Sequence, residues 1–132
     1  MSALSDYAEA KVLNRLLNAQ DDAAWPVIAS VYIALFTAAP TDAGGGTEVS
    51  TGSYARVQVT AGFTVSAGAA ANTADVTFPA ATGNWGTITH VGIFDAATVG
   101  NLLFWGALTA SRTINSGGQA KFLAGELDIV LD

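Results

Sequence analysis

The sequence has no cysteine and a single histidine among its 132 residues. The first absence excludes disulfides, thiolate metal sites and thiol nucleophiles together. The second leaves His90 without another imidazole or a thiolate to complete a metal shell, so a structural, hydrogen-bonding histidine is the favoured reading. Charge is scarce as well. Only 12% of residues are charged, against about 25% in an ordinary globular chain. The five bases, Lys11, Arg15, Arg56, Arg112 and Lys121, form no run, and eleven acids leave a formal net charge of −6. Release of counterions from phosphates needs several bases on one face, so nucleic acid is not an expected partner. No apolar run approaches the ~20 residues of a membrane span, and "MSALSDYAEAKVL" has no basic stretch ahead of an apolar one. Neither membrane insertion nor secretion is therefore expected.

What is present is apolar: 51% of residues are hydrophobic, too many for a disordered chain. The length suits one folded unit with its own core. So apolar and charge-poor a chain is expected to have part of its surface covered by neighbours. Residues 1–20 read as a helix. In "LSDYAEAKVLNRLLNAQ" Val12, Leu13, Leu16 and Leu17 share one side of a helical wheel, opposite Lys11, Asn14 and Arg15. Ser2 or Ser5 would cap its start, Asp6 and Glu9 suit its positive end, and the apolar side requires a docking partner. "AQDDAAWP" ends the helix, because Pro26 disfavours helix for the residue before it.

Residues 21–132 read as a mainly β domain. "VYIALF" is a continuous apolar run, as in a strand buried on both faces. "ARVQVTAGFTV", "TADVTF", "GTITHVGIF", "LLFWGAL", "QAKF" and "GELDIVLD" follow at the intervals of an all-β fold. The expectation is an antiparallel β-sandwich of about seven strands, jelly-roll or immunoglobulin-like, preceded by one N-terminal helix. In the last strand Leu127, Ile129 and Leu131 alternate with Glu126, Asp128 and Asp132. "SAGAAAN" reads as a small flexible loop, "DAATVGN" as a hairpin-length turn and "NSGGQ" as a glycine turn. "TAAPTDAGGGTEVSTGS" is a long loop in which Thr41, Asp42, Gly44, Gly45, Gly46 and Glu48 form a candidate recognition surface.

Catalytic chemistry finds little support. Asp42 and Glu48 flank "AGGG" without the repeated spacing of a calcium loop, and no lysine follows the glycines as in a phosphate cradle. Glu126 and Asp128 on one strand face read as charges protecting an exposed edge. No catalytic residue, metal or cofactor is expected. Aromatic residues cluster in "LLFWGAL". Alternation puts Leu102, Phe104, Gly106 and Leu108 on one face and Leu103, Trp105 and Ala107 on the other. With both faces apolar, the expectation is core on one side and a subunit contact on the other.

The ordered runs "LSDYAEAKVLNRLL", "VYIALFTAAPTDAGGGTEVSTGSYARVQV", "VTFPAATGNWGTITHVGIFDAATVGNLLFWGAL" and "TINSGGQAKFLAGELDIVLD" cover nearly the whole chain. Together they look like a family of small bacteriophage virion proteins commonly labelled tail fibre proteins. The chain departs from that pattern at "NAQDDAAWPVIAS", where the family's connection is shorter and richer in glycine. The resemblance implies a non-enzymatic virion component of a tailed phage, made in the bacterial cytoplasm and assembled as a homo-oligomer, with a trimer the first expectation. Val12, Leu13, Leu16, Leu17, Phe104 and Trp105 are the expected contacts, with other copies or with other tail or capsid proteins. Two alternatives stand beside it: a capsid decoration protein, and a receptor-binding module whose loops 37–53 and 66–73 meet a host surface glycan or protein.

Overall fold

The computed structural model describes residues 3–17 and 30–130. The expected features of "NAQDDAAWPVIA" and of Leu131 and Asp132 lie outside them. In chain order the elements are β1 (Ala3–Leu4), α1 (Asp6–Leu17), β2 (Tyr32–Ala38), β3 (Thr47–Glu48), β4 (Val57–Gln58), β5 (Phe63–Ser66), β6 (Ala69–Asn72), β7 (Val76–Thr77), β8 (Gly86–Phe94), β9 (Leu102–Ile114), β10 (Lys121–Phe122) and β11 (Asp128–Val130). Each of the seven expected β runs contributes a strand. The count of eleven arises from three short additions, β1, β3 and β6, and from the division of "ARVQVTAGFTV" at Gly62, whose φ of 72° breaks the extended path.

The principal sheet runs β1-β9-β8-β2-β3, with β4 also pairing β2. All its pairings are antiparallel. β2 lies inside it, and Ile33, Ala34, Leu35 and Phe36 are all buried, as a continuous apolar run requires when both faces are covered. Two smaller antiparallel sheets, β11-β6-β5 and β10-β7, complete a sandwich-like arrangement. Ile33, Leu35, Ile88, Val91 and Ile93 of the principal sheet share one core with Val76, Phe78, Leu127 and Ile129. Tyr54, Phe78 and Trp85 meet in its centre, with Tyr54 stacked on Phe78 at 6.2 Å and edge-on to Trp85 at 5.4 Å. Trp85 Nε1 donates to Gly52 O at 2.9 Å, which satisfies its polar end inside the core.

"SAGAAAN" is a hairpin rather than a flexible loop. Ala67 and Gly68 have φ of 52° and 79°, the two-residue turn whose twist matches paired strands. Alanine has little strand preference of its own, but β6 is held on both sides, by β5 and β11. Asn72, 2% exposed, anchors its end. Its Nδ2 donates to Ala74 O and Leu123 O, and its Oδ1 accepts from Leu127 N at 2.9 Å.

β9 also departs from simple alternation. Phe94 pairs with Leu102 but Ile93 with Phe104, so the register shifts at Leu103. This bulge turns Leu102 away from Phe104. A Cβ on Gly92 would stand 2.9 Å from Phe36 and 3.1 Å from Leu102, so Leu102 closes the face opposite the core together with Phe36 and Phe94. Phe104 and Leu108 instead pack against the core cluster.

α1 is joined to the edge of the principal sheet. Ser5 N donates to Leu103 O at 3.0 Å, and the Ser5 hydroxyl donates to Leu102 O and accepts from Ala8 N at 3.2 Å. Ser5, 1% exposed, caps the helix as expected, and the other expected cap, Ser2, lies outside the described residues. Ala8 is buried, whereas the next turns carry their leucines outward.

Candidate functional site

The glycine loop is a folded object. Thr41 N donates to Gly44 O and Gly44 N to Thr41 O, both at 2.8 Å, and the Thr41 hydroxyl adds a 2.7 Å bond to Gly44 O. Gly44, Gly45 and Gly46 follow with φ of 98°, 81° and 76°. At Gly46 a Cβ would stand 2.7 Å from Pro40 N, so only glycine fits. Asp42 ties the loop to two other elements. Its carbonyl accepts from Asp6 N at 3.0 Å, and its Oδ1 accepts from Trp105 Nε1 at 2.9 Å.

Glu48 ends this loop against Arg56. Arg56 Nε donates to Glu48 Oε1 and Nη2 to Oε2, each at 2.8 Å, so guanidinium and carboxylate meet as a fork. Arg56 Nη1 reaches the opposite loop and donates to Ala96 O at 3.0 Å and Val99 O at 2.8 Å. Its Cζ lies 3.6 Å from the Phe94 ring centroid. The side chain is 9% exposed, and its bonds are part-buried apart from the exposed one to Val99 O. Tyr54 joins from the core side: Tyr54 Oη donates to Glu48 Oε1 at 2.8 Å and accepts from Leu35 N at 3.0 Å. Burial, reinforced by the adjacent Glu48 carboxylate, pushes the Tyr54 phenol far above its ordinary 10.0. Tyr54 therefore remains a neutral donor.

The loop at residues 95–101 is braced by its own ends. Asp95 Oδ1 accepts from Asn101 N at 2.7 Å, and Oδ2 accepts from Asn101 Nδ2 at 2.9 Å. Between the two loops and the start of α1 lies a cavity of about 650 Å³, bounded by Tyr7, Phe36, Asp42, Gly45, Arg56 and Asn101. The six expected loop residues are thus brought to one region. Asp42 and Glu48 serve there as hydrogen-bond and ion-pair acceptors within the fold.

Over residues 3–130 the chain matches the family model described as Podophage GP4 fiber I protein gp80. It belongs to that family. No match was found among curated proteins. As a member of the gp80 fibre family, it is a structural fibre component of a phage virion.

The gp80-family fold separates the residues expected to make contacts. Val12 is half-buried, while Leu13, Leu16 and Leu17 are 55%, 74% and 75% exposed. Phe104 is taken up by the chain's own core. Trp105 lies on the opposite face, half-buried, with its ring 6.2 Å from that of His90. His90 Nδ1 is 2.8 Å from Thr89 Oγ1, a hydrogen-bonding role of the expected kind. Of the paired acids near the C-terminus, Glu126 Oε2 accepts from Leu123 N at 2.7 Å and Asp128 is exposed on β11. Arg56 was visible in sequence only as a scattered base. Its partners lie 8 to 43 residues away, and no local pattern marks them.

Two results are expected from the Arg56 centre. Arg56→Ala leaves the Glu48 carboxylate with the Tyr54 hydroxyl but no cation and frees two loop carbonyls, and should cost about 2–4 kcal/mol in urea denaturation. Arg56→Lys should recover little of it, because an ammonium cannot make the fork. Above pH 10.0 the unfolded chain ionises Tyr54 while the folded chain keeps it neutral. Stability present below that pH is therefore lost as pH rises. Tyr54→Phe, though weaker at neutral pH, should show a smaller alkaline decline, and an unchanged slope would contradict this account.

Proposed function

We propose that this fibre-family chain is a non-enzymatic, self-assembling structural component of a tailed phage, working as a homo-oligomer, with a trimer as the first expectation. The observation that carries the reading is the outward face of α1. Three leucines, each more than half exposed, occupy one face of a helix whose start is pinned to β9. An apolar face held in one orientation is suited to burial against neighbouring copies or another virion protein. The engagement of Asp42 and Glu48 within the fold supports a structural role over a catalytic one. In sedimentation equilibrium at micromolar concentration the wild type should run as a trimer, and Leu16→Glu with Leu17→Glu should raise the dissociation constant at least ~10-fold while circular dichroism is unchanged. A wild type that is monomeric throughout would overturn self-assembly.

A second reading, host-receptor recognition, is favoured by the cavity between the glycine loop and residues 95–101. Purified protein should then compete with intact phage for adsorption to host cells, and a Gly45→Asp chain should compete less well. Equal competition by both proteins, or by neither, would remove the loop from receptor binding. Placement on the capsid instead of the tail would appear as antibody label over the head in electron micrographs.

A further inference from the structure

Val99 combines two unfavourable features in one residue. Its φ is 57°, a left-handed conformation that crowds a β-branched side chain, and it is 85% exposed. Ser53 and Ala67 also have positive φ, but neither is β-branched. Gly100 follows at 69°, so the pair adopts a backbone for which Asn-Gly is a favoured dipeptide. The surroundings enforce this geometry. Arg56 Nη1 holds Val99 O at 2.8 Å, the Asp95–Asn101 bonds close the loop, and a Cβ on Gly100 would stand 2.6 Å from both Ala96 Cβ and Asp95 Oδ1. The outcome is a rigid apolar knob. A single exposed valine needs no explanation, but one held under backbone strain in a braced loop is arranged for contact.

The same chain carries a hollow whose walls are partly apolar and partly polar. A cavity of about 530 Å³ opens between β9 and the β10–β11 region, with Ile88, Leu108, Ala110, Ile114, Phe122 and Leu127 among its walls. Arg112, Lys121, Glu126 and Asp128 balance at its lining. Among the described residues no strand other than β8 pairs β9 beyond Trp105, so that side of the hollow is unobstructed by a further strand. Knob and hollow belong to opposite ends of one hairpin. Phe94 pairs with Leu102 beside the Val99 turn, and Gly86 pairs with Ile114 at the far end. Residues 96–101 contain no charged side chain, so this loop approaches a second copy without adding to the repulsion expected from a net charge of −6.

We infer that Val99 of one copy seats in the hollow beside β9 of the next, a heterologous contact between copies that rests on the self-assembly proposed above. Such a contact closes into a ring where its rotation permits and otherwise extends axially. The absence of cysteine makes the test direct. Full-length V99C and A110C chains, carrying different tags, are mixed, allowed to exchange subunits and oxidised, and the mixed disulfide should dominate. V99N, relieved of strain, should melt about 2–6 °C higher yet dissociate at least ~10-fold more readily. A110E, on an exposed position, should weaken assembly without changing folding. Assembly of V99N and A110E at wild-type affinity, or V99C–V99C disulfides alone, would overturn this contact while leaving self-assembly intact. A monomeric wild type would overturn both.

Discussion

The bond network of Arg56 is the constraint on which the loop end of this protein depends. One guanidinium spans Glu48 of β3, two carbonyls of the β8–β9 turn and the ring of Phe94. These partners lie on two separate segments, β3 and the end of β8 with its turn, and without a shared centre each would be a separate flexible connection. Because Arg56 is nearly buried, an unpaired charge there would be costly, which makes the arrangement all-or-none. Tyr54 extends the constraint into the core by joining Glu48 to the backbone of β2. The surface loops thus inherit the rigidity of the sandwich.

That rigidity bears on a fibre protein in a specific way. A surface that does not have to reorganise associates at lower cost, since ordering a loop during association opposes binding. The fold presents such surfaces from anchored positions. The leucines of α1 project from a helix fixed by Ser5, the glycine loop is held by Asp42, and the β8–β9 turn is held by Arg56. In the proposed assembly low surface charge serves the same end, because neighbouring copies of an acidic chain meet best through uncharged patches.

Much of the architecture was legible in sequence, for reasons that differ by element. β2 announced itself as an apolar run because both of its faces are covered, and Leu127 and Ile129 alternated with acids because only one side of β11 is buried. The helix cap, the glycine turns and the structural role of His90 follow from local chemistry. β6 was hidden because Ala69–Asn72 becomes strand only between two partners. The bulge at Leu103 was hidden because seven apolar or small residues in succession, 102–108, offer no pattern by which to see a register shift. It moved Leu102 to the face opposite Phe104 and thereby left Phe104 to the core.

The sequence by itself determined the fold class. Missing cysteine, sparse charge, β-branched runs and a leucine-faced helix are properties of side chains one at a time or of their local period, and those survive in a linear reading. Only the tertiary structure decided which residues act together. The Arg56 lock, the Asn72 anchor and the opposed positions of Val99 and the β9 hollow each join residues far apart in the chain. Such joins depend on strand register and loop path, and these are fixed by packing across the whole core rather than by any short stretch of sequence.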